Sequence, residues 1–491
     1  MRRRFLPALL LVLFGLVVAA CGSKATTGSA GGSTPEGAEL VRAGIVAFVT
    51  VDSDTGSSQW QQLDELAQKF PGRDRALEQI EEAFTKEGVD WESDVQPALG
   101  PELDIAVAAA GVSPPSHAVA LTKPDDPTKL KALVTKLNTS DRSSGSAVYR
   151  EIDGWYAVSD SQAAITDVLK GDRPALSGDD AFKQALDKLP GEALVKAYVD
   201  GQRVDELFTE AASARGGGFD APSLGLDTLK YIAAAVSAEE SGLRIRGASS
   251  GGPGGGGDFA SKLLGGVPGD ALALLDFQGS GTTDQLGRLK SNPQIAAAIA
   301  QVEKQLGVTL DELIALFSGE NAFYVRSGIG IPEFTLVLGG HDQGAALATL
   351  DKLAANLAAA TGGKIEAGSQ GGHPVKTVDL GQFAIHYGGV DGKVILTSGV
   401  SGIADYGSSD SLSDSADFKE ARSAAGMPDS TGAFTYLDIK NALPLLEGLA
   451  SLSGENLPSE VTENLRPLRS FLAWSQGPAS SRTFDVFLEI E

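Results

Sequence analysis

The chain contains one cysteine, Cys21, among 491 residues, and four histidines. A single thiol cannot form an internal disulfide, so we expect the folded part to be stable through packing alone. Zinc sites are usually built from Cys and His side chains at short, regular spacings, and the sequence contains no such spacing. We therefore predict no metal and no cofactor.

Basic residues are scarce relative to acidic ones. Lys and Arg together number 40 against 64 Asp and Glu, a formal charge of −24. Nucleic-acid binding depends on phosphate neutralisation by Lys and Arg, so we predict no nucleic-acid partner. A chain this acidic also lacks the basic patch that binds anionic lipid headgroups.

Long apolar runs are absent after the N-terminus. The one present, Phe5–Ala20, follows Arg2, Arg3 and Arg4 and spans 16 residues. A membrane-spanning helix needs about 20, whereas a charged start, a short apolar run and small final residues are typical of a signal peptide. The run ends at Ala20 directly before Cys21, as in a bacterial lipobox. We predict cleavage between Ala20 and Cys21 and lipidation of Cys21; the alternative is an ordinary signal peptide followed by a chance cysteine.

Removal of residues 1–20 takes away three arginines, which leaves 37 basic against 64 acidic residues, a formal charge of −27. The next segment is rich in Gly, Ser and Thr and has no hydrophobic period, which is typical of a flexible tether. We predict a signal peptide at 1–20, a tether at 21–42, a first repeat at 43–249, a Gly-rich linker at 250–268 and a second repeat at 269–491.

The two predicted repeats share short patches in the same order. Gly88–Gly100 matches Gly307–Gly319 without gaps, and other patches match at offsets that drift by several residues. Loop insertions produce such drift, so the pattern indicates an internal duplication. The remaining matches pair Ala47–Asp52 with Ala271–Asp276, Asp126–Leu137 with Asp342–Leu353, Asp153-Gly154 with Asp391-Gly392, Phe182-Lys183 with Phe418-Lys419, and Tyr198–Asp200 with Tyr436–Asp438.

Each repeat is predicted to combine helices with antiparallel strands. The dipeptides Asp153-Gly154 and Asp391-Gly392 lie between apolar runs, which favours tight hairpins. Thr309 and Glu312 have the spacing of a capping box at a helix start. Hairpin-rich strands with interspersed helices predict an α+β class, in which each repeat is a largely antiparallel sheet with packed helices.

The candidate functional residues are four carboxylates predicted at strand ends: Asp52, Asp200, Asp276 and Asp438. Each follows an apolar strand and precedes a helix or loop. Such residues commonly cap the following helix. The alternative is that together they surround a binding surface.

No catalytic constellation is found. His117 is expected in a strand with a structural role, and His341, His373 and His386 have no counterpart in the first repeat. The string Gly247–Gly251 fits G-x-S-x-G but leads into the glycine linker rather than a helix, which a nucleophile elbow requires. We predict that the protein is not an enzyme and has no catalytic residues, with a hydrolase at an unfamiliar site as the minor alternative.

The lipobox, the tether, the duplicated unit and the opening strand Ala47–Asp52 together resemble the family called domain of unknown function 3352. The resemblance covers roughly Ala43 to Glu491 and implies secreted lipoproteins of actinobacterial type. It implies no established activity and no functional residues.

These features predict an extracytoplasmic lipoprotein, held at the cell membrane by its N-terminal lipid, that acts as a non-enzymatic binding or structural module of the envelope. Its partner would be an envelope protein or a small ligand. The alternative is a solute-binding lipoprotein with a ligand cleft between the two repeats, although such binders usually have parallel βα units.

Overall fold

The computed structural model describes residues 34–108, 117–139, 147–214, 228–251, 257–279, 293–328, 331–340, 342–381, 383–407, 410–452 and 457–491. Cys21 and Ala20, the rest of the predicted signal peptide, the first part of the tether and His341 lie outside these residues. The chain divides into two compact units, Met1–Gly252 (unit 1) and Pro253–Glu491 (unit 2).

Unit 1 begins with a one-turn 3₁₀ helix, Glu36–Glu39, and combines eight described strands with helices. The strands are β1 Ala47–Asp52, β2 Glu102–Ala108, β3 His117–Thr122, β4 Val148–Ile152, β5 Trp155–Ser159, β6 Val195–Asp200, β7 Tyr231–Glu239 and β8 Gly242–Ser250. The α-helices are α1 Ser58–Ala67, α2 Arg73–Lys86, α3 Pro127–Thr139, α4 Gln162–Val168, α5 Asp180–Leu186 and α6 Gly201–Ala214.

The strands of unit 1 form an antiparallel sheet in the order β4-β5-β3-β2-β1-β6-β7-β8. One face, which we call the inner face, packs on the main core of the unit. Phe48, Phe182 and Tyr198 meet there edge to face, with ring centroids 5.7 and 5.0 Å apart. Ala38 and Val41 are fully buried in the same core. Unit 1 therefore begins inside the segment predicted as tether, because these side chains complete its core.

Unit 2 combines ten described strands with helices. The strands are β9 Ala273–Gly279, β10 Gly319–Arg326, β11 Glu333–Leu338, β12 Lys364–Gln370, β13 His373–Asp379, β14 Ala384–Val390, β15 Lys393–Thr397, β16 Ala433–Asp438, β17 Leu468–Gln476 and β18 Arg482–Ile490. The α-helices are α7 Pro293–Leu306, α8 Leu310–Leu316, α9 Gln343–Thr361, α10 Gly402–Asp405, α11 Ala416–Ala425, α12 Ile439–Leu452 and α13 Ser459–Leu465.

The strands of unit 2 are antiparallel in the order β12-β13-β14-β15-β11-β10-β9-β16-β17-β18. Its inner face packs on a second core, in which the rings of Phe418 and Tyr436 lie 4.9 Å apart. Leu263 and Val267 are buried in this core, and Phe259 pairs with Thr431. Residues 257–268, predicted as linker, thus belong to unit 2, since their apolar side chains fill its core.

Both predicted Asp-Gly hairpins are present. Asp153 and Gly154 have φ values of 51° and 83°, and Asp391 and Gly392 have 48° and 79°. Two successive positive φ values define the tight turn that matches strand twist. The capping box is also confirmed, with Thr309 and Glu312 each bonded to the backbone of the other.

The β12–β13 hairpin was not predicted. Its strands, Lys364–Gln370 and His373–Asp379, carry many exposed side chains, so they lack the apolar alternation that marks a strand in sequence. The predicted mixture of helices with largely antiparallel strands is confirmed. In the part of the chain that the structure describes, no helix has both the length and the apolar content to cross a bilayer.

Candidate functional site

Three of the four candidate carboxylates cap the segments that follow them. Asp52 accepts hydrogen bonds from the Asp54 amide and the Ser57 hydroxyl, and burial raises the pKa of its carboxyl to about 6. Asp200 accepts from the amides of Gln202 and Arg203 at the start of α6.

Asp438 accepts from the amide of Asn441 at 2.9 Å and from its side chain at 2.8 Å, at the start of α12. These interactions are the ones that a helix cap requires.

The two capping carboxylates of unit 1, Asp52 and Asp200, do not converge on one site. The Asp52 amide bonds to the Leu194 carbonyl, and the Asp200 amide bonds to the Val46 carbonyl. Because β1 and β6 are antiparallel, these two carboxylates lie at opposite ends of the strand pair.

Asp276 is not at a strand end, which corrects the prediction. It is the fourth residue of β9, which continues to Gly279, and it is fully buried on the inner face. Its carboxylate accepts from the Ser261 hydroxyl, which also contacts Glu320 at 3.0 Å. Glu320 in turn accepts from the amides of Lys262 and Leu263. Burial raises the pKa of Asp276 to about 7.

Unit 1 contains a buried carboxylate in a related setting. Asp104, in β2, is fully buried, and its pKa lies well above the usual range because of burial and the adjacent Glu102. Glu102 accepts from the Gly37 amide at 3.0 Å. In each unit a glutamate therefore holds the N-terminal segment against the sheet, Glu102 in unit 1 and Glu320 in unit 2.

The three described histidines, His117, His373 and His386, are all strand residues. His117 begins β3, as expected for a strand residue, and its Nδ1 lies 3.2 Å from Asp167, which also pairs with Arg42. His386 Nδ1 lies 2.8 Å from the Thr377 hydroxyl, and burial lowers the pKa of the imidazole. His373 is the first residue of β13. No group of His, Cys, Asp or Glu among the described residues is arranged to hold a metal ion.

The second face of the unit 2 sheet, which we call the outer face, carries no charged side chain in the paired rows from β11 across to β18. The side chains on this face form rows that run across the strands. In one such row, Phe323 of β10 lies between Leu275 of β9 and Leu336 of β11. The outer-face residues are Phe334, Leu336, Leu338, Asn321, Phe323, Val325, Ala273, Leu275, Phe277, Ala433, Thr435, Leu437, Phe471, Ala473, Ser475, Phe484, Val486 and Leu488. Because the inner face is also apolar, this sheet is built to be covered on both sides.

The helices cover the outer face of unit 2 incompletely. α9 packs on β11, β14 and β15, where Leu338, Tyr387 and Val394 are buried. Beyond it, Leu275, Phe323 and Phe334 remain 39%, 37% and 47% exposed, and the two Phe rings stack at 6.2 Å. α12 packs on β17, yet none of its residues 439–451 is buried.

The corresponding face of unit 1 is also free of charge between β3 and β8. Val49, Ile105 and Ala120 form one row, and Ile232 and Ile245 lie on the same side. Here Val51, Leu103 and Ile105 are buried, while Ile232 and Ile245 are 41% and 38% exposed. An aromatic pair, Tyr149 and Tyr156, lies on this face at β4 and β5, with ring centroids 5.8 Å apart.

Sequence reasoning missed the outer face, although a signal was present. The segments Ala271–Leu275 and Ala322–Val325 are almost continuously apolar, which is typical of strands that are apolar on both faces. Such runs predict that a second layer is needed. They do not show how completely the helices of this chain supply it.

Together, these features define a mixed α and β protein whose candidate site is an apolar sheet surface rather than a polar catalytic centre. Residues 136–490 match the model of the family described as "Protein of unknown function (DUF3352)", and the chain belongs to that family.

Two solved structures are similar over part of the chain. They are crystal forms III and IV of TP0453, with 13% and 14% identity and TM-scores of 0.24 and 0.22. They cover 46% and 44% of this chain and 79% and 75% of their own. No curated protein matches the chain.

Proposed function

We propose that the protein is a lipid-anchored extracytoplasmic lipoprotein whose folded part is a non-enzymatic binding module. The observation that supports a binding role is the half-covered apolar outer face of unit 2 around Leu275, Phe323 and Phe334. Contiguous exposed apolar residues on a folded protein commonly mark an interaction surface. The four candidate carboxylates, Asp52, Asp200, Asp276 and Asp438, each accept a structural hydrogen bond, which leaves this face as the strongest candidate.

The anchor is proposed from the N-terminal sequence. This segment fits a lipoprotein signal. Three arginines, Arg2–Arg4, precede the apolar run Phe5–Ala20, and Cys21 follows directly. Two or three acyl chains on Cys21 would hold the chain firmly at a membrane without a spanning helix. Since unit 1 is already folded at Glu36, the proposed tether shortens to about residues 22–33.

We infer further that the two units are copies of one ancestral domain. In each, the first strand lies between its second strand and the strand ending in Asp200 or Asp438. Aligning Val41 with Val267, both fully buried, also aligns Thr50 with Asp276. Glu102 then corresponds to Glu320, and each bonds to the N-terminal segment.

The anchor is tested by Cys21→Ser in a strain that makes the protein. We expect the variant to move from the membrane fraction to the soluble extracytoplasmic fraction, while Ser23→Ala stays with the membrane. A Cys21→Ser variant that remains fully membrane-bound would contradict the lipoprotein assignment.

The binding role is tested by placing a photo-crosslinking amino acid at Phe323 in the anchored protein. We expect a discrete crosslinked product in intact cells. The matched control is Glu78, which is exposed on the charged helix α2 of unit 1. Equal crosslinking at both positions, or none at Phe323, would contradict the proposed surface.

A further inference from the structure

An aliphatic groove lies between α7 and α8 of unit 2. Its volume is about 250 Å³, and its lining includes Ile299, Val302, Leu306, Val308, Leu310 and Leu313. Val302 and Leu306 are 48% and 38% exposed. No residue of α7 from 296 to 306 is buried, although the helix is rich in Ala, Ile and Val. The helix thus presents apolar side chains that its own fold does not cover.

The charged lining residue, Glu303, already has a partner. Its Oε1 accepts a hydrogen bond from the Leu310 amide at 2.8 Å, which joins the end of α7 to the start of α8. The lining side chains otherwise carry no hydrogen-bonding group. A peptide or sugar in the groove would lose hydration without gaining partners, which is costly. The lining therefore favours an occupant without polar groups.

The groove adjoins the outer face of the same unit. Leu313 of α8 packs with the cluster that contains Leu316 and Leu338, and Leu338 is an outer-face residue of β11. Its volume lies below the roughly 300–1,000 Å³ typical of pockets for drug-sized ligands. The groove therefore has room for part of one apolar chain rather than for a whole drug-sized ligand.

We propose that this groove binds one hydrocarbon chain of a membrane lipid. The proposal deepens the proposed function and rests on it, because the anchor would keep the protein at a lipid surface. The uncharged aliphatic lining complements a hydrocarbon chain, and the headgroup would remain in water at the open rim near Val302 and Leu306.

The test uses residues 21–491 carrying Cys21→Ser, so that no attached lipid competes. The probe is cis-parinaric acid, a fatty acid that becomes fluorescent in apolar surroundings. We expect saturable binding at one site. Val302→Glu places a charge at the rim, which a bound hydrocarbon chain would have to desolvate. The variant should bind at least about tenfold more weakly, a factor that corresponds to 1.4 kcal/mol.

Two further variants separate site loss from unfolding. Gln305→Glu adds the same charge on the same helix at an exposed position outside the groove lining, and should bind like the parent. Val302→Trp fills the groove without adding charge and should also lose binding. Circular dichroism and urea unfolding establish that each variant is folded.

Absence of saturable probe binding, or equal binding by the parent and folded Val302→Glu, would overturn the hydrocarbon-chain proposal. Neither result would affect membrane release by Cys21→Ser or crosslinking at Phe323, so failure of this inference is distinguishable from failure of the proposed function. A protein crosslinked at Val302 together with no probe binding would assign the groove to a protein partner instead and overturn the proposal.

Discussion

The burial and contacts of Asp276 could not be predicted from the residues that precede it in the sequence. The chain places it after Ala-Leu-Ala-Leu-Leu, as Asp52 follows Ala-Phe-Val-Thr-Val. In the structure it is buried in mid-strand beside Ser261 and Glu320, fifteen or more positions away in sequence. Its hydrogen-bond donor, Ser261, comes from a segment that the glycine-rich composition presented as linker.

Stability should depend on pH through Asp276. An unfolded Asp has a pKa of about 3.9, whereas burial raises that of Asp276 to about 7. Between these values the unfolded chain has released the proton and the folded chain retains it. The contribution to the unfolding free energy is therefore full below about pH 4 and is lost as pH rises to about 7, at roughly 1.4 kcal/mol per pKa unit.

Urea unfolding of unit 2 at a series of pH values checks this expectation. Asp276→Asn should remove this component of the pH dependence. Between pH 4 and pH 8 the variant should therefore lose less unfolding free energy than the parent does. Asp429→Asn, at a fully exposed side chain, is the control. An unchanged pH profile in Asp276→Asn would show that another group is responsible.

Gly37 is the corresponding sensitive position in unit 1. A Cβ atom there would overlap the carboxylate of the buried Asp104. We expect Gly37→Ala to lower the unfolding free energy by about 1–3 kcal/mol, as overpacked core sites do. Gly178→Ala, where nothing lies close to the added Cβ, should have a smaller effect. Similar unfolding midpoints for the two variants would contradict the close packing.

At the scale of elements, the hairpins follow from local chemistry and the helices from packing. Asp-Gly turns were predictable because positive φ values favour Gly and tolerate Asp. No residue at 296–306 of α7 or 439–451 of α12 is buried, although both helices are apolar, so neither helix is held by a closed core. Elements with few buried contacts open most readily.

The β14–β15 turn provides a direct check of this local control. Gly392 has φ of 79°, a region that costs other residues about 1–2 kcal/mol. Gly392→Ala should destabilise unit 2 by that amount in urea unfolding, while Asp391→Asn should be nearly neutral because Asn-Gly suits the same turn. Equal losses in both variants would mean that the turn geometry is not the cause.

At the scale of the whole molecule, each unit contains its own core. Domains with separate cores generally fold alone. We expect residues 34–252 and 257–491, expressed separately, to unfold cooperatively in urea. A fragment of residues 269–491 should be markedly less stable, because it lacks Leu263, Val267 and the Ser261 hydroxyl that Asp276 requires. Equal stability of the two unit 2 fragments would contradict this boundary.

The sequence alone determined the features that depend on neighbouring residues or on composition. These are the family resemblance, the Asp-Gly turns, the capping box and the mixed antiparallel class. The N-terminal lipoprotein signal stays a prediction. Turn and cap geometry involve residues within a few positions of one another, so their chemistry can be read along the chain.

Only the tertiary structure decided the register of the strands and the cover of their faces. Under the proposed duplication, the sequence match pairs Asp52 with Asp276, whereas aligning the buried Val41 with the buried Val267 pairs Thr50 with Asp276. Both alignments keep the same side chains on the same face, because strand side chains alternate with a period of two residues. Hydrophobic pattern therefore cannot distinguish them. The incomplete cover around Phe323 and the α7–α8 groove likewise depend on how distant helices pack, which no local pattern encodes.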